Sequence, residues 1–243
     1  MTKRIICALV ISFVLLPLTA MSVSANSYYW TDSAAPTFPF KDVSKSTWQY
    51  APIKKVYDLG IMNGVSDTRF EPNRKLTRAE AAMILYNIEG KNASYSKYSF
   101  KDVKSGAWYA DAVEWMYKKG ITSGVTKDRF GVNEYITRQD FITFIYRLYD
   151  VKWGLSSGDS GIYVRNNIID GFKDYRQISA YAIPAMRLSA GICMVVTHDP
   201  TSHINVEPII RGHNGYVNPR GNCTRAEAAV IIGNVYTIDK YVP

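Results

Sequence analysis

The sequence contains few cysteines and few histidines, with three of each among 243 residues. Cys7 lies in the apolar N-terminal stretch, so only Cys193 and Cys223 remain for the rest of the chain. Two thiols cannot make a disulfide-rich scaffold, and the chain must be held mainly by a hydrophobic core. We predict one disulfide between Cys193 and Cys223 that closes an enlarged loop, with two buried free thiols as the alternative.

Long apolar runs are missing after the first 25 residues, which excludes a later membrane-spanning helix of about 20 apolar residues. The N-terminus has Lys3 and Arg4, then an apolar run at 5–18, and then small residues at 23–25. This order is typical of a secretory signal peptide cleaved after Ala25, and its apolar run is too short for a membrane anchor. We therefore expect a signal peptide at 1–25, export of the protein and no transmembrane segment.

Basic residues outnumber acidic ones, giving a formal net charge of +8 at pH 7, and tyrosine is abundant with 18 residues. An exported basic protein suits a polyanionic partner, either a cell-wall polymer or an anionic membrane surface. Charge alone does not choose between them. The sequence has no dense stripe of lysine and arginine of the kind that nucleic-acid binding uses, so we expect no nucleic-acid partner.

Two segments of the chain repeat each other at an offset of 60 residues. They share an opening Phe-Lys-Asp-Val, a tryptophan, a Gly-Ile pair, a Gly-Val pair, an Arg-Phe pair and a Thr-Arg pair. These landmarks begin at Phe40, Trp48, Gly60, Gly64, Arg69 and Thr77 in the first copy, and at Phe100, Trp108, Gly120, Gly124, Arg129 and Thr137 in the second. So many landmarks in one register indicate a repeat architecture.

A third, less regular copy begins at Phe172 and ends in the motif Thr-Arg-Ala-Glu at 224–227. Its middle is longer by about 14 residues, and this insertion, at about 195–213, holds all three histidines. A segment rich in glycine and serine separates copies two and three and is predicted to be a loop. The predicted divisions are a signal peptide at 1–25, an N-terminal aromatic segment at 26–37, repeats at 38–90, 98–150 and 172–238, and a linker at 151–171. We expect the aromatic tract at 28–30 to pack on the repeats.

Each copy is predicted to form a helix, a loop and a second helix. In the first copy, Ile53 and Val56 follow helical spacing and Gly60 ends that helix. The second helix starts at a capping box, in which the hydroxyl of Thr77 and the carboxylate of Glu80 each bind a free backbone amide. Two short helices cannot bury their apolar stripes alone, whereas three stacked units can. The sequence therefore predicts an all-α fold of three helix-loop-helix units.

The arginine of each box lies where helix electrostatics do not favour a cation. Arg78, Arg138 and Arg225 follow the capping threonine, near the partial positive charge of the helix N-terminus, which costs about 0.3 to 1 kcal/mol. One explanation is structural: the side chain pairs with an acid or lies on an aromatic ring. The other is ligand binding, because free N–H groups and an adjacent guanidinium together suit a carboxylate. Three equivalent occurrences favour an acid-binding corner at each box.

Aromatic and acidic residues near the start of each copy are further candidates for ligand contacts. Trp48 and Trp108 precede the first helix of their copies, and a flat indole face can hold a sugar ring; core packing is the alternative. Asp42 and Asp102 are candidate contacts, although roles as loop or helix-cap residues fit them at least as well.

The stretch FKDVSKSTWQYAPIKKVYDLGIMNGVSDTRFEPNRKLTRAEAA resembles an S-layer homology domain, and residues 38–238 resemble three of them in tandem. The resemblance implies a pseudo-threefold, three-lobed helical domain whose grooves between repeats bind an anionic secondary cell-wall polysaccharide, often one with a pyruvate ketal. It implies that Arg78, Arg138 and Arg225 contact the acidic group. The implied function is non-covalent anchoring to the cell wall, or S-layer, at the surface of a Gram-positive bacterium.

The second and third copies depart from this pattern. The second box, Thr137-Arg138-Gln139-Asp140, has a shorter acid, and the third copy has no tryptophan, so that Tyr181 is the nearest aromatic. The predicted binding set contains the box residues and the aromatic or acidic residues of each copy: Thr77, Arg78, Glu80, Thr137, Arg138, Thr224, Arg225, Glu227, Trp48, Trp108, Tyr181, Asp42 and Asp102.

Other classes of function fit the sequence less well. We expect no enzyme and no cofactor, because the segments outside the repeats have no room for a catalytic domain. His198, His203 and His213 lie near carboxylates and are weak candidates for zinc ligands, but their spacing matches no metal motif, so we expect a surface loop. The alternative function is an exported docking protein or surface-array component whose repeats are mainly structural and whose partner is another surface protein.

Overall fold

The computed structural model describes residues 38–90, 93–155, 161–196 and 203–242. These residues contain six α-helices, which we group by their order along the chain into three pairs: α1 (Tyr50–Asp58) with α2 (Arg78–Ile88), α3 (Ala110–Lys118) with α4 (Arg138–Lys152), and α5 (Ile183–Gly191) with α6 (Arg225–Asp239). Short 3₁₀ turns at Ile169–Gly171, Tyr175–Gln177 and Ala180–Ala182 precede α5. We call the three helix pairs, with their loops, units 1, 2 and 3. The predicted signal peptide and N-terminal aromatic segment lie outside the described residues.

Capping chemistry accounts for the C-terminal ends of α1 and α3 and for the starts of α2 and α6. Gly60 and Gly120 follow α1 and α3 with φ of 67° and 71°, a conformation that glycine adopts without steric cost. The capping boxes are confirmed at α2 and α6, where the hydroxyls of Thr77 and Thr224 accept from the amides of Glu80 and Glu227, and both glutamates bond back. Among the described helices, none is long and apolar enough to cross a membrane.

Three backbone hydrogen bonds at the centre join the units in a closed ring. The amide of Leu76 donates to the carbonyl of Cys223 at 2.8 Å, that of Ile136 to Leu76 at 2.9 Å, and that of Cys223 to Ile136 at 2.9 Å. The three side chains are fully buried. Each residue precedes the threonine that caps the second helix of its unit, so the ring places those three helices in equivalent positions.

Helix packing follows the same cyclic order. The second helix of each unit packs against the first helix of the next, as α2 on α3, α4 on α5, and α6 back on α1. At the α6–α1 contact, the Lys55 ammonium donates to the Gly233 carbonyl at 2.8 Å and to the Thr237 hydroxyl at 2.6 Å. The units therefore form a closed pseudo-threefold arrangement rather than an open stack.

The aspartate that opens each unit holds the loop between its two helices. The Asp42 carboxylate accepts from the amides of Phe70 and Glu71, and Asp174 accepts from those of Val217 and Asn218. Asp102 does the same for three consecutive loop amides, those of Phe130, Gly131 and Val132. The alternative that Asp42 and Asp102 are loop residues therefore describes these bonds, and ligand contact by them stays a prediction.

The predicted helical fold is confirmed, and a small antiparallel sheet is added to it. Its strands are β1 (Ile162–Val164), β2 (Ile192–Val196) and β3 (His203–Asn205), in the order β1-β2-β3. The first strand comes from the segment predicted to be a loop, and the other two belong to the enlarged part of unit 3. The described parts of the linker and of the enlarged segment therefore pair with each other beside α5.

The predicted disulfide is absent from the structure, in which Cys193 and Cys223 are free thiols. Cys193 lies in β2, where its Sγ is 3.5 Å from the carbonyl oxygen of Tyr163 on the neighbouring strand. Cys223 is fully buried in the central ring. Strand pairing and ring formation thus place the two residues in different parts of unit 3. Burial raises the pKa of the Cys223 thiol to about 12, which keeps it protonated and unreactive.

We expect Asp102→Asn to lower the free energy of unfolding by about 2 kcal/mol at neutral pH, because charge-assisted bonds to three amides are weakened. Burial alone would raise the pKa of Asp102, but the amides of Phe130, Gly131 and Val132 more than offset this and lower the pKa below 3.8. A lowered folded-state pKa stabilises the protein above the unfolded-state pKa, and the stabilisation is lost as pH falls through the folded-state value.

Urea unfolding at neutral and at acidic pH checks this expectation, since the difference between wild type and Asp102→Asn should shrink in acid. Asp128→Asn is the matched control in the same unit, because the Asp128 carboxylate is half exposed and pairs with Lys101 at the surface. We expect that control to change stability by less than about 0.5 kcal/mol. Equal effects of the two variants would contradict the role assigned to Asp102.

Candidate functional site

The three box arginines lie in equivalent contacts between neighbouring units. The Nε of Arg78 donates to the Phe130 carbonyl at 2.8 Å, that of Arg138 to Val217 at 3.1 Å, and that of Arg225 to Phe70 at 2.8 Å. Each arginine therefore reaches from its own unit into the loop of the next unit. We name the three inter-unit grooves after these residues: the Arg78, Arg138 and Arg225 grooves.

The arginines are also packed into the core. Arg78, Arg138 and Arg225 are only 6%, 8% and 6% exposed. The guanidinium carbon of Arg78 lies 4.9 Å from the ring centre of Phe130, and that of Arg225 lies 4.4 Å from the ring centre of Phe70. Burial lowers the pKa of Arg78, and it lowers the pKa of Arg225 to about 10, so both guanidinium groups remain charged at neutral pH. The structural explanation, in which the arginine side chains lie on aromatic rings or pair with acids, therefore applies to these residues whether or not they also bind a ligand.

The predicted acid-binding corner at free helix amides is wrong. The amides of Arg78 and Ala79 donate to the carbonyls of Glu134 and Val132 in the next unit, at 2.8 and 3.3 Å. Equivalent pairs of bonds occupy the first amides of α4 and α6. The loop of the neighbouring unit thus takes the place predicted for an anion, which leaves the arginine side chain as the cationic group of each groove.

The box threonines and glutamates are engaged in capping as well. The hydroxyls of Thr77, Thr137 and Thr224 each accept from the amide three residues later. The carboxylates of Glu80 and Glu227 accept from the amide and hydroxyl of their own threonine. These residues therefore act as helix caps, and Glu80 and Glu227 also face the arginine of the preceding unit. Their ligand contacts stay a prediction.

Pairing between the arginine and that acid differs among the grooves. Nη1 of Arg138 lies 3.2 Å from the Glu227 carboxylate, and Nη1 of Arg225 lies 3.7 Å from that of Glu80. Arg225 also donates to the Asn63 carbonyl at 2.6 Å. Within the described part of the chain, Arg78 forms no ion pair. The equivalent acid is Asp140, whose shorter side chain accepts instead from the Tyr181 hydroxyl.

The aromatic candidates are exposed, which excludes core packing for them. Trp48, Trp108 and Tyr181 are 63%, 62% and 52% exposed. Tyr181 of unit 3 lies over the Arg78 groove, because its hydroxyl contacts both Asp140 and the Gln139 amide nitrogen. Trp48 of unit 1 lines the Arg138 groove together with Glu227. The Arg78 and Arg138 grooves thus each combine an arginine from one unit, an acid and loop from the next, and an aromatic ring from the remaining one.

The Arg138 groove opens into a cleft of about 1020 Å³. Arg138 and Glu227 lie at one end, and α6 lines its length as far as Asn234. Trp48 and residues of the enlarged part of unit 3, including His213 and Tyr216, line it as well. The cleft is large enough for a saccharide and offers both an aromatic face and hydrogen-bonding groups.

Of the three histidines, His203 and His213 lie within the described residues. His213 is exposed in the loop of unit 3, His203 contributes its backbone to β3, and His198 lies outside the described residues. Among the described residues there is no group of three or more histidine, cysteine, aspartate or glutamate side chains that could hold a metal ion.

Sequence reasoning missed three kinds of groove residue. The loop carbonyls of Phe70, Phe130 and Val217 accept from the arginine Nε. These residues occupy equivalent positions in the three repeats, and that equivalence is the sequence signal that could have identified them. Arg74 binds the Glu80 carboxylate through both terminal nitrogens and so fixes the acid of the Arg225 groove. Tyr216 follows the insertion, where the irregular alignment of the third copy hid its position.

Comparison of the sequence with known proteins identifies the family of units 1 and 2. The S-layer homology domain family matches residues 39–82 and 99–142, so units 1 and 2 contain S-layer homology domains. The chain is 34% identical over 214 residues to an amylopullulanase of Thermoanaerobacterium thermosulfurigenes, covering 87% of this chain and 10% of the relative. It is 35% identical over 194 residues to an exoglucanase of Acetivibrio thermocellus, covering 79% of this chain and 16% of the relative.

A cellulosome-anchoring protein of Acetivibrio thermocellus is 31% identical over 129 residues, or 49% of this chain and 26% of that protein. The chain thus spans between about a tenth and a quarter of the length of these relatives. The shared domain, together with relatives that are anchoring or surface proteins, supports a role in anchoring at the cell wall or cell surface.

We expect Arg225→Lys to lower the free energy of unfolding by about 2 kcal/mol. Lysine keeps the charge but loses the fork that binds the carbonyls of Phe70 and Asn63, and it loses the stacking on the Phe70 ring. Arg129→Lys is the matched control, because the Arg129 side chain is half exposed and pairs with Glu134 at the surface. Urea unfolding of both variants measures the difference. A control as damaging as Arg225→Lys would contradict the structural role of the buried arginine.

Proposed function

We propose that the protein attaches without covalent bonds to a Gram-positive cell wall by binding an anionic secondary wall polysaccharide in the grooves between three S-layer homology repeats. The observation that carries this proposal is the arginine that joins each pair of units, accompanied in the Arg78 and Arg138 grooves by an exposed aromatic ring from the remaining unit. A polymer with acidic substituents, such as pyruvate ketals, suits a cationic groove with an aromatic rim.

The third repeat is part of this proposal. Unit 3 has the same helix-loop-helix order as units 1 and 2, the same capping box as unit 1, and the same bonds from its arginine and first amides into the next loop. It also supplies Cys223 to the central ring. These contacts support reading unit 3 as an S-layer homology repeat with an insertion, in which Tyr181 takes the place of the tryptophan.

Among the grooves, the Arg78 groove has the strongest affinity for an acidic group in this proposal. The acids Glu227 and Glu80 partly neutralise Arg138 and Arg225, whereas Arg78 has no such partner among the described residues. A ligand carboxylate can therefore pair with Arg78 without displacing a protein carboxylate. Several grooves that bind one polymer gain affinity together through effective concentration.

Anchoring requires no catalysis, and we propose that this chain acts as a binding protein. The carboxylates of the grooves are tied to backbone amides or arginines, as in Asp42, Asp102, Glu80 and Glu227. Such carboxylates support a groove rather than act as an acid–base pair. In this proposal, the protein attaches a separate partner, or another part of the wall, to the polymer that it binds.

Purified Gram-positive sacculi, before and after chemical removal of the secondary polymer, test this function. We expect the wild-type protein to bind only the intact sacculi. Trp48→Ala and Trp108→Ala should each weaken binding on the order of tenfold, because each removes an exposed stacking surface. Both should leave the unfolding midpoint nearly unchanged, since these side chains are exposed.

Tyr163→Ala is the matched control, because Tyr163 is 52% exposed on β1 and does not line a groove in the described structure. This design avoids replacing the buried arginines, whose loss would also change stability. Equal binding to stripped sacculi, or loss of binding in Tyr163→Ala as large as in the tryptophan variants, would contradict the proposal and favour docking to another surface protein.

A further inference from the structure

The loop of unit 3 differs from the other two at its tip. Each loop has a tight antiparallel bridge at the same place, between Ser66 and Arg69, between Thr126 and Arg129, and between His213 and Tyr216. The third unit thus carries a tyrosine where the other two carry an arginine. Since this loop faces Arg138, the Arg138 groove is the groove whose loop tip is aromatic rather than basic.

Two exposed aromatic rings line the cleft of this groove. Trp48 of unit 1 is 63% exposed and Tyr216 of unit 3 is 49% exposed, and both line the volume of about 1020 Å³. Lys173 lies over the Tyr216 ring, with its ammonium 5.1 Å from the ring centre, and steadies that side chain. Aromatic faces on the wall of an open cleft favour the C–H faces of sugar rings.

The charged side chains that line the cleft in the described structure are already paired. Arg138 lies 3.2 Å from Glu227, and Arg211 forms an ion pair with Glu207. The Asp174 carboxylate accepts from the amides of Val217 and Asn218 at 3.0 and 2.8 Å. A second acidic group in this cleft would have to compete with a protein carboxylate, whereas sugar hydroxyls can bond to the paired groups as they stand.

The cleft is also longer than one sugar ring. It follows α6 from Glu227 to Asn234, a distance of about 10 Å at the helical rise per residue. Val230 and Ile231 line it between these polar ends. A run of adjoining sugar units fits this shape better than a single substituted one.

We propose that the Arg138 cleft is a site for uncharged sugar units, in which Trp48 and Tyr216 bind consecutive rings of the polymer between its acidic substituents. This inference rests on the proposed function and assigns a different ligand chemistry to one of the three grooves. Tyr216 determines the specificity of that groove, because it presents an uncharged aromatic face where units 1 and 2 carry an arginine.

The test uses polymer released from sacculi in two preparations, one native and one with its acidic substituents removed by mild acid. Tryptophan fluorescence titration of the full protein measures binding of each. We expect the wild type to bind both preparations, and we expect Tyr216→Arg to lose on the order of tenfold in affinity for the uncharged preparation while keeping its affinity for the native one. Tyr216→Phe should behave as wild type.

Tyr163→Arg is the control, because it makes the same chemical change at an exposed tyrosine outside the cleft. Binding of the native polymer alone would overturn the inference and leave the proposed function intact. Unchanged affinity of Tyr216→Arg for the uncharged polymer would also overturn it. Failure of both preparations to bind would overturn the proposed function and this inference together.

Discussion

The structure depends on the closed ring of backbone hydrogen bonds between Leu76, Ile136 and Cys223. Because each amide donates to the carbonyl of a different unit, no unit satisfies its own backbone at the centre. The ring fixes the start of each second helix against the loop of its neighbour, and the same geometry brings each box arginine to a loop carbonyl. The grooves are therefore a product of the closure of the ring.

The box arginine illustrates how one residue can serve both the fold and a ligand. Its Nε bonds a loop carbonyl inside the protein, and the guanidinium groups of Arg78 and Arg225 also lie over a phenylalanine ring. Its remaining charge faces the groove and is tuned by the acid of the next unit. Differences among the grooves arise from changes of one or two side chains, such as aspartate for glutamate at residue 140, on a constant backbone frame.

The sequence contained enough local information for the helices and for the capping boxes at Thr77 and Thr224. It left open whether Trp48 and Trp108 pack in the core, and the structure shows them exposed. It did not reveal the occupants of the first helix amides, because the carbonyls of Val132 and Glu134 come from a different repeat. The sheet was missed for a similar reason, since Ile162–Val164 pairs with a strand about 30 residues away. The wrong disulfide prediction followed from missing the sheet, because strand β2 fixes the position of Cys193.

The closing contact between α1 and α6 has a consequence for how the chain acquires its structure. Lys55 and Thr237 are 182 residues apart, yet their side chains are bonded to each other. In an open solenoid, folding can start at one repeat and spread to its neighbours. Here, by contrast, unit 3 supplies one of the three residues of the central ring. Folding is therefore delayed until unit 3 has emerged, and such long-range closure is typical of slow formation.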